Sequence, residues 1–252
     1  MITLATFLVG IGVIDLTSSI LRAGPRGGSR PVLASLASGW VALLVSAGLT
    51  GQLTGWSGWL LTALAGGFAT AWALITRRAL DRGAPHLLPL LVLALGVLVL
   101  VVLAGFAPPS EGGLSRWIGW AGLPWQPTPE RAALLAGLAL VQLSTGNVVV
   151  RLVLVSTGAM QADPRGVEPA EELKGGRVLG PLERLFILGL GLAGEVTAAG
   201  LVIAAKGLIR WPELKAHSED AEHPIDKVTE YFLVGSFVSW LVALVALVLA
   251  SG

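Results

Sequence analysis

Polar positions are sparse along this chain, and their spacing divides it into apolar runs of about the length that carries a helix across a ~30 Å hydrocarbon layer. The runs cover about 2–21, 32–50, 58–76, 86–106, 132–156, 185–205 and 229–250. Pro31 opens the second, and "TRRALDRGAPH" separates the third from the fourth. The fourth, "LLPLLVLALGVLVLVVLAGF", has no polar side chain and reads as lipid-facing. The pattern predicts an all-α bundle of seven transmembrane helices in one integral membrane domain over 1–252.

Composition supports that reading. Hydrophobic residues make up 54% of the 252 and charged residues 13%, about half the share of a soluble domain; mean hydropathy is +0.77. The absence of cysteine excludes disulfides, thiolate metal sites and cysteine nucleophiles. A net charge of +1 gives no field to gather nucleic acid, so the expected partner is the lipid bilayer. The first basic residues, Arg22, Arg26 and Arg30, follow the first apolar run, the reverse of a cleavable signal.

Basic residues also set orientation. Arg22, Arg26 and Arg30, then Arg77, Arg78 and Arg82, flank the first and third connections, and the second has none. The amino terminus is therefore expected outside a bacterial cytoplasmic membrane, and "STGAMQADPRGVEPAEELKGGRVLG" inside. The connection "APPSEGGLSRWIGWAGLPWQPTPER" brings Trp117, Trp120 and Trp125 together, as suits a segment in the headgroup layer, where the ring is buried and the indole N–H is wet. Trp56, Trp59 and Trp211 also fall near run ends.

The stretch 182–210 allows two arrangements. A single crossing leaves Lys206, Arg210, Lys215 and Lys227 outside, against the charge rule; a re-entrant hairpin bent at "GLGLAG" returns them inside, with short arms and a bend that must be buried in protein. Spacing favours the single crossing. Arg184, Glu195 and Lys206 are 11 residues apart, three turns of a straight helix, so they share one face with Glu195 at the midplane. "GLGLAG" matches G-x-G-x-x-G in letters alone, since the nucleotide fingerprint needs a strand and a βαβ unit.

The intramembrane polar residues are the candidate site. An ionisable group near the bilayer centre costs at least ~2.5–3.5 kcal/mol and normally faces a partner inside the bundle. Asp15, Arg151, Glu183 and Arg184 are expected at one depth toward the cytoplasmic side, with Asn147 one turn from Arg151 on the same face. Glu195 has no base at its expected depth, so it is protonated, bonded to Asn147 or Thr197, or facing water, as a proton-coupled carrier requires. "HSEDAEHPID" could ligate a divalent ion through His217, Glu219, Asp220, Glu222, His223 and Asp226, but its spacing fits a solvated loop better, and no metal is expected. With no histidine inside an apolar run, a bis-histidine haem is implausible, and no cofactor is expected.

"GPLERLFIL" (Gly180–Leu188), "LVIAAKGLIRWPEL" (Leu201–Leu214) and "EYFLVGSFVSW" (Glu230–Trp240) make the carboxy-terminal third resemble a family of uncharacterised bacterial integral membrane proteins, a domain of unknown function. The resemblance implies that Glu183, Arg184, Lys206, Glu230 and Tyr231 are residues of interest, and it supplies no activity. Lys206 and Glu230 could pair at the membrane interface. The function expected is a small-molecule or ion carrier, or the membrane subunit of a transport complex, working with a second copy or a partner subunit. The alternatives are a membrane-embedded enzyme acting on lipid, with Glu183 or Glu195 as acid/base, and a non-catalytic scaffold whose polar cluster specifies packing. Enzymatic activity is the less favoured class.

Overall fold

The computed structural model describes residues 1–22, 30–82, 85–122, 127–160, 176–219 and 225–251; for 22, 30, 82, 176–178, 206, 209–219 and 225–229 it describes the backbone alone. Among the described residues every regular element is a helix, with no strand. The helices are α1 (Ile2–Arg22), α2 (Arg30–Thr50), α3 (Gly55–Arg82), α4 (Leu87–Val102, extended by a 3-10 turn Leu103–Phe106), α5 (Gly113–Ala121), α6 (Pro129–Leu143), α7 (Thr145–Ser156), α8 (Gly176–Leu192), α9 (Val196–Glu219) and α10 (Ile225–Ser251).

Five segments are long and apolar enough to cross a membrane: Ile2–Leu21, Pro31–Thr50, Gly55–Asp81, Leu87–Phe106 and Glu230–Ser251. A sixth arises if Pro129–Leu143 and Thr145–Ser156 count together. The chain is a multi-pass membrane protein by this measure, and length and composition do not bring the described residues to seven spans. The run 132–156 was expected as one helix. It is broken at Ser144 (φ −126, ψ −65), whose hydroxyl donates to the Gly12 carbonyl at 2.8 Å as well as to the Leu140 carbonyl at 2.9 Å.

Two compact units form, Met1–Ala84 with Leu88–Thr145, and Pro85–Leu87 with Gly146–Gly252. In the first, α1 is the central helix, packed by α2, α3 and α6, with Ile2, Leu4, Phe7, Leu8, Ile11 and Ile14 buried. Small residues bring α6 onto it: a Cβ on Gly137 would lie 3.0 Å from the Ala5 carbonyl oxygen. That close approach is the usual basis of helix association in lipid, where burial of apolar surface contributes little. The Gln52 amide, in the turn after α2, bonds Thr3 and Thr6 of α1 at 3.2 and 2.9 Å.

In the second unit, α8 packs against both α9 and α10, and the expected straight helix through Arg184, Glu195 and Lys206 is absent. Helix α8 stops at Leu192 because Gly194 takes φ +82, a left-handed conformation that glycine adopts without strain. The Glu195 N–H then reaches back to the Leu190 carbonyl (2.8 Å) and the Gly194 N–H to the Gly191 carbonyl (3.1 Å), while the Glu195 carbonyl accepts the first bond of α9 from Ala199. The break falls at the end of "GLGLAG".

The direction of the helices follows from their contacts. Glu183 and Arg184 meet Trp240 and Ser239, and Gly191 lies against Leu247. Equal steps in the same sense make α8 and α10 parallel. Ile225 therefore begins ~33 Å below the level of Leu247, at 1.5 Å per residue. The connection must descend by that amount, and α9, with 24 residues, is ~36 Å long. So α8 and α9 form an antiparallel helical pair turning at Ala193–Glu195, the hairpin rather than the continuous helix. Its arms, 17 and 24 residues, exceed those the sequence suggested. Residues 217–219 of "HSEDAEHPID" continue α9 rather than lying in a loop.

Candidate functional site

Polar groups gather in the core of the second unit where α7, α8 and α10 meet. Arg184 is 1% exposed and Glu183 5%. Neighbouring residues on a helix project ~100° apart and do not face each other, so each finds its own partner. Arg184 Nη2 donates to Asn147 Oδ1 of α7 (2.7 Å) and Nη1 to Ser239 Oγ of α10 (3.1 Å). Trp240 Nε1 donates to Glu183 Oε1 at 2.8 Å. The adjacent pair on α8 thus meets the adjacent pair Ser239–Trp240 on α10.

The guanidinium lies flat enough on α7 to need a glycine there. A Cβ on Gly146 would come within 2.7 Å of Arg184 Nε, 2.9 Å of Cζ and 3.0 Å of Nη2. Gly180, one turn before Arg184 on α8, also borders it, with its notional Cβ 3.6 Å from Nη1. Two glycines and an asparagine therefore frame the charge. Gly146 and Asn147 belong to the first turn of α7, where backbone N–H groups have no partner within the helix.

The level of this cluster can be read along α10. Trp240 is ten residues from Glu230 and eleven from Ser251, the ends of the apolar segment. Glu183 and Arg184 are thus level with its centre, and Glu195, beyond Gly191 and Leu247, is close to its end. Glu195 is exposed and outside any helix. The expectation of a carboxylate buried at mid-span fails for Glu195, because the chain turns before reaching it, and Asn147 serves Arg184 instead.

Asp15 is the buried carboxylate of the first unit. Trp72 Nε1 donates to its Oδ2 at 3.1 Å and its Oδ1 at 3.3 Å, and Trp72 itself is fully buried. Arg151 is half-buried on α7, so Asp15 and Arg151 belong to different units. Glu230 is exposed, and the Lys206 side chain lies outside the described residues, as do those of 217–226 and of Trp125 and Trp211. Among the described residues no group of three His, Cys, Asp or Glu could hold a metal ion, and Arg77 pairs with Asp81 on the α3 surface at 3.2 Å.

Sequence reasoning named Asn147, Glu183 and Arg184 and missed Gly146, Ser239, Trp240 and Trp72. A signal for two of these was present. Trp240 sits in the middle of its apolar run and Trp72 about one turn inside the end of its own, rather than at the run ends where tryptophan anchors at the interface. An indole N–H inside a run needs an acceptor, and each has a carboxylate. Comparison of the chain with protein-family models, curated proteins and solved structures found no match.

Proposed function

We propose that the protein is a multi-pass membrane carrier for a small anionic solute, with Arg184 as the binding charge and Glu183 as its internal counter-ion. The observation that carries this reading is the buried guanidinium seated on the first turn of α7, against Gly146 and Asn147. A helix starting within a bundle offers backbone N–H donors to an anion. In carriers built on interrupted helices such termini face the solute near the bilayer centre. The Arg184 level along α10 agrees with that depth, where an ionisable group is costly to keep.

In this reading α8 and α9 are two crossings, eight in all with α1, α2, α3, α4, the α6–α7 pair and α10. The charge rule supports the hairpin: Arg177 opens α8, Arg210 and Lys215 fall in the second half of α9, and Lys227 opens α10. All four then belong to the cytoplasmic side, with the amino terminus outside.

A second reading, a non-catalytic scaffold or assembly subunit, is favoured by the burial of Arg184 with two of its donors already engaged by Asn147 and Ser239. An enzyme acting on lipid fits less well, since Glu183 is buried and engaged by an indole. The test is ligand-dependent stability in lipid nanodiscs against inorganic phosphate, sulfate and short carboxylates. A ligand at one hundred times its Kd raises stability by ~2.7 kcal/mol. The carrier reading expects such a rise with at least one anion, lost in R184Q, followed by uptake of that anion into vesicles. Stability unmoved by every anion would leave the scaffold.

A further inference from the structure

The seven tryptophans whose side chains are described divide into two groups by what their N–H groups do. Trp40, Trp72 and Trp240 donate to Thr70, Asp15 and Glu183. Trp56, Trp59, Trp117 and Trp120 are 80, 54, 53 and 83% exposed, and among the described residues they donate to no protein group. The second group is gathered at one end of the first unit. The start of α5 lies on the turn between α2 and α3, where a Cβ on Gly112 would collide with the Leu49 carbonyl and the Gly51 N–H. Pro108 rests against Gly58, its Cγ 3.2 Å from where a Cβ would be. The segment carrying Trp117 and Trp120 is therefore fixed beside the segment carrying Trp56 and Trp59.

Helix α5 has nine residues, ~13 Å at 1.5 Å per residue, less than half of a hydrocarbon layer. Ile118 points inward and is buried, whereas Arg116, immediately before Trp117, is exposed and has no protein partner among the described residues. The surface thus offers broad rings, unspent indole N–H donors and one free guanidinium. That combination fits a layer that is apolar on one side and lined with ester and phosphate oxygens on the other.

We infer that this end of the first unit is a built lipid-interface platform. Helix α5 is seated in the headgroup–glycerol layer, with phospholipid phosphodiesters as the acceptors for Arg116 and the four outward indoles. Because no native cysteine exists, nitroxide labels on W59C, W117C and W120C report single sites in vesicles of phosphatidylethanolamine and phosphatidylglycerol. L98C, on an exposed position of α4, serves as a hydrocarbon standard. Collision with oxygen and with a water-soluble nickel chelate gives each label's depth.

The expected result is that all three labels fall at the phosphate–glycerol level, shallower than the standard. Labels freely struck by nickel at the rate of a soluble site would overturn the platform, as would dipolar coupling between copies, which would make the face a protein–protein contact. Spin-labelled phosphatidylglycerol is expected to be preferred over phosphatidylcholine about fivefold, the effect of one arginine at a charged surface. R116Q abolishes that preference if Arg116 holds the phosphodiester; an unchanged ratio overturns the arginine's part.

Discussion

Gly146→Ala is a small change at an exacting position. The added Cβ would lie 2.7 Å from Arg184 Nε and 2.9 Å from Cζ, well inside carbon contact distance, so the guanidinium must move. Its 2.7 Å bond to Asn147 Oδ1 runs to the residue next to Gly146 and cannot survive a shift away from α7 intact. A hydrogen bond to a charged group contributes ~1.5–3 kcal/mol in water-soluble folds, and polar pairs in membranes average ~0.6 with a maximum near 1.7. Overpacking adds ~1–3 kcal/mol, while alanine in place of glycine within a helix returns up to ~1. The expected net loss is ~1–3 kcal/mol.

A double-mutant cycle isolates the cause. Methionine at 184 removes the rigid fork and fills similar volume with a flexible chain. If the contact with the guanidinium sets the cost, Gly146→Ala loses less than about 0.5 kcal/mol in the R184M background. The assay is reversible unfolding in mixed micelles, followed by circular dichroism. An equal penalty in both backgrounds would refute the reasoning and assign the cost to the α7 backbone alone.

Other substitutions test other joints. Gly194→Ala forces a side chain into φ +82 and is expected to cost ~1–2 kcal/mol by the same unfolding assay, whereas a helix continuous through 195 would gain from it. Trp72→Phe leaves the Asp15 carboxylate without its indole donor and is expected to cost ~1–3 kcal/mol, much more than Trp56→Phe at an exposed site. In topology, S218C is expected to react with an impermeant thiol reagent from the cytoplasmic side alone and E195C from the outside. Labelling of S218C from outside would dismantle the hairpin.

Much of the architecture was legible because lipid imposes long apolar runs, and α1 to α4 and α10 fall where those runs predicted. The two departures both come from backbone events that periodicity cannot register. At Ser144 a hydroxyl finds the Gly12 carbonyl, a contact 132 residues away in sequence. At Gly194 one left-handed residue reverses the chain. Eleven-residue spacing placed Arg184, Glu195 and Lys206 on one face only while the helix was assumed straight. The charge pattern argued for the hairpin, and the geometric regularity outweighed it in reading the sequence. The site fared similarly: Glu183, Arg184 and Asn147 were visible as polar residues in apolar surroundings, whereas Gly146 and Ser239 matter for what they leave room for or accept, and nothing in composition marks them.

The adjacency of Glu183 and Arg184 on α8 bears directly on which of the two functional readings holds. Glu183 Oε1 already accepts from Trp240, so Glu183→Gln can retain that bond through its amide oxygen while losing the negative charge. Shape and the indole partner are then kept, so any loss of stability comes from charge alone. The electrostatics change greatly, since the buried guanidinium loses its adjacent counter-charge in a medium of low dielectric. An anionic solute that competes with Glu183 for Arg184 should bind more tightly to E183Q, and an external anion should stabilise E183Q more than the native chain. A buried cation left uncompensated is strongly destabilising in either reading, and in a scaffold no added anion relieves it. Unfolding of E183Q with and without the anion series separates the two: rescue by an anion supports the carrier, and destabilisation indifferent to anions refutes it.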